Sequence, residues 1–246
     1  MKKFRADIHI HTLLSPCASL EMTPRRIVQK AKAGGINIIG ITDHNSTKNA
    51  LLVKKIAEDA GIFTLTGAEI TTREEVHCLV FFEYPGELMT FQKFIDEHIT
   101  YIPNKGGFFG DQPVIDANEN IVELVPYYLP AALKAGITET QQQVEKLNGL
   151  FIPAHIDRQA NGIIAQLGFI PSNLKFDALG ISSAVSEKYV VEQYVIQYKT
   201  TIIRNSDAHY LKQIGDIYTV FLMEDVSFSE IRKALNRQDN RYCELV

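Results

Sequence analysis

Short apolar runs rich in Ile, Val and Phe alternate along the chain with stretches whose apolar side chains recur every three or four positions. That is the pattern of repeated strand–helix units that build a parallel sheet. Runs that fit strands cover 4–9, 36–41, 63–66, 150–154, 178–181, 201–204 and 217–221. A further run, 76–82, fits a hairpin partner for the segment ending at Thr71. Thr23 and Pro24 open the first helix as N-cap and first helical residue, Ser46 begins the second, and Gly34-Gly35 and Gly61 stop the two. Further helices fit 87–99, 139–147, 187–194 and 227–236. One stretch breaks the alternation. Segment 101–136 carries Pro103, Gly106, Gly107, Gly110, Pro113, Pro126 and Pro130 with no sustained period, and loops of that length are lids or disordered segments more often than framework.

Size and composition narrow the class. With 246 residues, 46% hydrophobic and 22% charged, the chain has enough apolar material for one large core, so 1–246 is expected to be a single domain with 101–136 as an insertion. Charges at Lys2, Lys3, Arg5 and Asp7 stand where a leader peptide needs apolar residues, and no apolar run is long enough to cross a membrane. A cytoplasmic location follows as the expectation. Cys17, Cys78 and Cys243 form no CxxC pair, which argues against a disulfide framework or a zinc ribbon. The net charge is −4, and no block of Lys or Arg makes a footprint for duplex DNA or an anionic membrane. A small anionic substrate stays compatible, because bound metal ions reverse the local potential of an acidic protein.

Candidate chemistry gathers where strands end. In Asp7-Ile8-His9-Ile10-His11 the two-residue period of a strand places Asp7, His9 and His11 on one face, looking into a barrel, and Ile8 and Ile10 on the other. Thr42-Asp43-His44 follows the second run, Glu69 the third, His77 lies on the hairpin, His155 follows 150–154, and Asp207 and His209 follow 201–204. Six of the seven histidines fall at such positions, and only His98 sits in a helical stretch. In parallel barrels the active site is built from the C-terminal ends of strands, so this placement predicts a shared site.

The runs DIHIHT at 7–12, TDHN at 42–45, GAEI at 67–70 followed by His77, AHIDR at 154–158 and NSDAH at 205–209 together resemble the PHP (polymerase and histidinol phosphatase) domain superfamily. Among its members the chain is most similar to the small standalone phosphoesterase-like ones. The resemblance implies an α/β fold, a distorted TIM-like barrel with seven βα units and a metal site at the C-terminal ends of the strands, which agrees with seven candidate strands. It also implies two to three divalent transition metals. His9 and His11 would hold one with Asp207 and Glu69, and Glu69 would bridge to a second held by His77 and His155. A third would use His44 and His209 with one more ligand from the loop after DIHIHT. That loop reads LLSPCAS at 13–19, where relatives offer Asp or His, so Cys17 is the candidate ligand or the third site is left incomplete.

Imidazole and carboxylate suit Zn, Mn and Fe, and a bridging carboxylate can hold two ions. Asp43 and Asp7 fit either groups that orient ligand histidines or loop hydrogen bonds, and Arg158 fits a phosphate ligand. Two metals would lower the pKa of a bridging water and provide hydroxide near neutral pH, giving hydrolysis of a small phosphate ester, a nucleotide or an oligonucleotide end. Short single-stranded nucleic acid is a second partner class, with Phe108, Phe109, Tyr127 and Tyr128 of the insertion available for stacking if it covers the site rather than packing beside the barrel. Amidohydrolase-like cleavage of a C–N or C–O bond, and a metal-binding regulatory module without turnover, are the competing readings.

Overall fold

A computed structural model describes residues 1–182 and 200–246. The helix expected over 187–194 lies outside the described residues. Strands β1 (Lys2–Ile10), β2 (Ile38–Ile41), β3 (Phe63–Thr71), β4 (His77–Phe82) and β7 (Leu150–Pro153) are neighbours in one mixed sheet. That sheet continues beyond β1 into β10 (Thr219–Met223) and β11 (Tyr242–Leu245). A parallel pair, β8 (Leu179–Ile181) and β9 (Ile202–Arg204), bridges the gap between β7 and β1. Asp177 N–H donates to Phe151 O and Ile156 N–H to Gly180 O on one side; Ala208 N–H donates to His9 O and His11 N–H to Ala208 O on the other. The ring β1-β2-β3-β4-β7-β8-β9 is therefore a distorted α/β barrel of TIM type with seven staves.

One stave differs from expectation. The strand expected over 217–221 is β10, which pairs antiparallel with Lys2–Ala6 of β1, while β4 takes a place in the ring between β3 and β7. The reason is the connection: only residues 72–76 join β3 to β4, too few for a crossover, so β4 must run antiparallel. Its first residue, His77, consequently lies opposite Thr71, at the end of the barrel where the parallel staves finish.

Alternation along the staves separates two cores. Ile38, Leu65, Leu79, Phe81, Leu150, Ile152 and Ile203 fill the barrel interior, whereas Ile39, Ile41, Ile70, Val80 and Phe151 face the helices outside. Each fully buried large side chain contributes about 1.5–3 kcal/mol. Gly40 faces the interior where a Cβ would stand 2.4 Å from the Ile8 carbonyl oxygen, so only glycine lets β1 and β2 approach there.

Helices α1 (Pro24–Ala33), α2 (Ala50–Asp59), α3 (Pro85–His98) and α4 (Ile137–Lys146) pack on the outside. Helix α1 starts at Thr23-Pro24 and buries Ile27, Val28 and Ala31 at helical spacing. The second helix starts at Ala50, not Ser46, because Asn45 and Asn49 spend their side chains on the loops around them. Short α5 (Ile163–Leu167) follows β7, and α6 (Phe228–Leu235) is capped by the Ser227 hydroxyl, which accepts from Glu230 N–H at 3.2 Å. Phe228, Ile231, Ala234 and Leu235 of α6 join the interior cluster through Phe221 and Met223.

The stretch 101–136 holds a hairpin, β5 (Pro113–Ile115) and β6 (Ile121–Leu124). It is anchored at the mouth of the barrel: Asn45 Nδ2 donates to Leu129 O and Ala131 O, Asn49 Nδ2 to Pro113 O, and Leu14 packs with Val125 and Leu129. No helix among the described residues is long and apolar enough to cross a membrane.

Candidate metal centre

The inward columns end in ligand-type side chains. On β3 the column reads Leu65, Gly67, Glu69; on β4, taken in the opposite sense, it reads Phe81, Leu79, His77. Apolar residues fill the middle of the barrel, and the last inward position at the mouth carries the polar group.

Strand β1 reaches the same place by a different route. Three steps along it, Asp7 to Ile10, match two along β2, a bulge that lets consecutive residues change face. Ile8 accordingly packs in the interior core and Ile10 in the outer one, so the expected single face for Asp7, His9 and His11 is not what forms. His9 and His11 converge on the mouth, while Asp7 turns to the loop after β9, where it accepts from Ser206 N–H, Ser206 O–H and Gly215 N–H. Three residues at the mouth hold left-handed backbone without being glycine: Asn45 at φ 43°, His155 at 29° and Asp207 at 52°. Such conformations persist where surrounding structure enforces them, and here each turns a chain leaving its stave back toward one point.

That point is the carboxylate of Glu69, which is 1% exposed. Its Oε1 lies 3.2 Å from His9 Nε2, 3.0 Å from His77 Nδ1 and 3.2 Å from His155 Nε2; its Oε2 lies 3.4 Å from His11 Nε2 and 3.2 Å from His44 Nδ1. Asp207 Oδ1 is 3.2 Å from His9 Nε2 and 3.3 Å from His11 Nε2. Ligand atoms of His9, His11, Glu69 and Asp207 all lie within 4.8 Å of one another, as do those of His44, Glu69 and His77, and those of His11, His44 and His209. His155 faces Glu69 from the side of His77 rather than joining a compact set, and His44 belongs to two sets.

Electrostatics follow from packing so many rings around two acids. Burial opposes the charge of Glu69, but His77, His9, His11 and His155 together hold its carboxyl well below the usual range, and Asp207 is held low by His9 and His11 in the same way. Burial also opposes a charge on His11, yet hydrogen bonds to Asp207 and Glu69 outweigh it and raise the ring to about 10. Burial and the neighbouring His11 push His44 well below its ordinary value and His209 to about 4, and burial lowers His155. An ion in place of protons relieves this competition. His9 Nε2 and His11 Nε2 face each other at 3.2 Å, and among the described residues buried His44 Nδ1 makes no aligned hydrogen bond, although Glu69 Oε2 is 3.2 Å away. Imidazole nitrogens and carboxylate oxygens converging in this way fit zinc, manganese or iron.

Asp43, expected to orient a ligand histidine or to hold a loop, touches no ring directly. Its Oδ1 accepts from Thr12 N–H at 2.8 Å and Ser15 O–H at 2.7 Å, and its Oδ2 accepts from Thr12 O–H at 2.7 Å. Every strong contact is spent on the 12–15 loop, so Asp43 shapes the site from behind. Cys17 stands exposed on that loop and belongs to none of the three ligand sets among the described residues, while His11 stands with His44 and His209 in the third. Arg158 donates to Asp207 Oδ2 at 2.6 Å with its side chain 43% exposed, at the edge of the cluster. The insertion sits on the same rim, with Gly110 against Pro16, but its Phe108 points to solvent, 82% exposed. Sequence reasoning missed Ser15, Thr12 and Asn45, whose hydrogen bonds tie the loops together; serine, threonine and asparagine after a strand carry no signal distinguishing them from ordinary turn residues.

A family model for the PHP domain matches residues 7–158, and one described as PHP-associated matches residues 189–240. The uncharacterized protein YqxK of Bacillus subtilis (strain 168) is 25% identical over 98% of this chain, which spans 64% of YqxK. Endonuclease Q of Pyrococcus furiosus, a lesion-specific endonuclease, superposes with a TM-score of 0.74 at 20% identity, covering 98% of this chain and 58% of its own. A candidate metal-dependent phosphoesterase from Bifidobacterium adolescentis superposes with a TM-score of 0.58 at 18% identity, over 95% of this chain and 96% of its own.

Proposed function

The chain belongs to the PHP domain family, whose metal-dependent hydrolase chemistry its site is built to carry, and from that premise we propose that the bond it cleaves is a phosphoester. The observation that carries this reading is the approach of five imidazole nitrogens to within 3.0–3.4 Å of one buried carboxylate, Glu69, with Asp207 beside them. In this reading His9, His11, Asp207 and Glu69 would hold one ion, Glu69 with His77 and His155 a second, and His44 and His209 a third. Bound zinc, manganese or iron supplies Lewis acidity at the phosphoryl oxygens and lowers the pKa of water at neutral pH.

The chain's own groups do the rest. The Glu69 carboxylate, held low and fully buried, stays ionised at any working pH and keeps the rings converged. Arg158 grips only one oxygen of Asp207 and is half in solvent, so it can exchange that contact for a phosphoryl oxygen and offer two parallel N–H donors to it. Apolar residues directly beneath the site, Ile8 and Leu79, exclude bulk water from the barrel side, which strengthens each of these interactions. The substrate classes that fit are a small phosphate ester, a nucleotide or an oligonucleotide end; endonuclease Q, similar in fold, has been seen with a duplex carrying an abasic lesion.

The test is a screen of zinc-, manganese- and iron-loaded protein against phosphomonoesters, nucleotides, short single strands, nicked or lesion-bearing duplexes and cyclic amides. Metal-dependent phosphate or nucleotide release that disappears in His11→Ala and Asp207→Asn supports the proposal. Turnover of an amide or lactone with no phosphoester cleaved moves the function to C–N or C–O hydrolysis, and metal binding with no turnover at all moves it to a regulatory module.

A further inference from the structure

We infer that Ser15, backed by Asp43, is a positioning residue that engages Nδ1–H of His11 and so leaves Nε2 as the atom His11 offers to a metal. The inference rests on the metal-centre reading above and adds the device that decides which nitrogen of the ring is used.

The argument is a count of donors and acceptors around one hydroxyl. Ser15 is fully buried, and its Oγ has three neighbours: Asp43 Oδ1 at 2.7 Å, His11 Nδ1 at 3.0 Å and the backbone nitrogen of His44 at 3.2 Å. A hydroxyl has one hydrogen to give and two lone pairs to receive with. The His44 amide can only donate, which uses one lone pair. Asp43 is the acceptor for the hydroxyl hydrogen, and the next residues out show why.

Thr12 Oγ1 receives Leu14 N–H at 3.2 Å and an Asn49 Nδ2 hydrogen at 3.1 Å, so its own hydrogen goes to Asp43 Oδ2 at 2.7 Å. Thr12 N–H points at Asp43 Oδ1 at 2.8 Å. Both oxygens of Asp43 thus already face hydrogens, and the carboxylate is left to accept from Ser15. The one remaining lone pair of Ser15 Oγ must then receive a hydrogen from His11 Nδ1. With Nδ1 spent on Ser15, Nε2 is the nitrogen left for a metal, and it lies 3.2 Å from His9 Nε2, 3.3 Å from Asp207 Oδ1 and 3.4 Å from Glu69 Oε2.

The same hydroxyl, by accepting from the His44 amide, also fixes the turn that presents His44 to Glu69. One serine therefore sets two candidate ligands from behind, and Asp43 keeps the serine pointing the right way. Hydrogen bonds of this type behind a ligand are commonly worth 10–100-fold in metal affinity, roughly.

The experiment uses the full chain labelled with nitrogen-15 in histidine and loaded with zinc, read by long-range proton–nitrogen correlation, together with zinc affinity by chelator competition. The wild type should show His11 ligated through Nε2, with an Nδ1–H that exchanges slowly with water. Ser15→Ala should bind zinc about 10–100-fold more weakly, with that hydrogen exchanging fast, and Ser15→Thr, which keeps the hydroxyl, should recover much of both. A zinc-loaded wild type ligated through His11 Nδ1, or a folded Ser15→Ala with wild-type zinc affinity, overturns the inference. The wild-type spectrum decides the nitrogen whether or not the variants fold, and neither readout depends on hydrolysis, so absence of phosphoester turnover leaves this result standing.

Discussion

Replacing Glu69 by Gln keeps the volume of the side chain and removes one negative charge from the point where five rings meet. In the wild type both carboxylate oxygens are lined with imidazole nitrogens at 3.0–3.4 Å, and the group is 1% exposed, so water cannot substitute for it. The amide also replaces one acceptor oxygen with an NH2 donor, which meets a ring nitrogen needed for a metal. At an effective dielectric constant of about 20, one unit of charge at about 4 Å is worth about 4 kcal/mol. That corresponds to roughly a thousandfold in affinity for any cation the carboxylate touches. Because Glu69 belongs to two ligand sets, both should empty at once, whereas Asp207→Asn, which touches one, should empty only that one. Elemental analysis after dialysis against a zinc buffer at fixed free concentration measures this directly, with circular dichroism to show that the variant is folded. A folded Glu69→Gln protein that keeps its full complement of metal would refute the shared role of this carboxylate.

Other consequences follow from the same geometry. In metal-free protein, His209 titrates near 4 when folded and near 6.5 when unfolded, so stability is lost as pH falls between those values, by at most about 3 kcal/mol. His11, raised to about 10, contributes stability that is full below 6.5 and is lost as pH rises toward 10. Thermal denaturation with chelator present should accordingly peak near pH 6.5 and fall on both sides, and a stability that climbs steadily from pH 6.5 to 10 would contradict the assignment. Cys17→Ala should leave metal content unchanged by elemental analysis, since its sulfur lies outside every ligand set; loss of one equivalent would bring the thiolate back as a ligand. The chain has no tryptophan, so Phe108→Trp creates a single reporter on the exposed tip of the insertion. Nucleotides or short single strands that stack there should quench its emission, and emission indifferent to both would leave the insertion as packing on the rim.

The features most legible in the sequence were those with a period or a chemical type. Apolar runs exposed the staves β1, β2, β3, β7, β8 and β9, and histidines after them or on the hairpin pointed to the mouth, where His9, His11, His44, His77, His155 and His209 meet. What stayed hidden depends on interactions between distant segments. Whether β4 or β10 occupies the ring is decided by loop length and edge pairing, not by the apolar run of either strand. The face switch in β1 arises from a bulge against β2, which no two-residue count along β1 alone can reveal. The hairpin β5–β6 lies in the Gly- and Pro-rich stretch, and β6 is exposed along its whole length, so no buried apolar run marks it. The sequence marks Asp43 and Arg158 by residue type, but not the contacts they make: Asp43 with Thr12 and Ser15, and Arg158 with Asp207.

The central claim is that Glu69 is the shared pivot of a metal centre at the mouth of the barrel. Crystals of the full chain soaked in zinc and measured on both sides of the zinc absorption edge test it most directly. The account predicts anomalous peaks on both flanks of the Glu69 carboxylate, one among His9, His11 and Asp207 and one toward His77 and His155. Peaks confined to surface carboxylates, or a single peak that Glu69 does not touch, would contradict it.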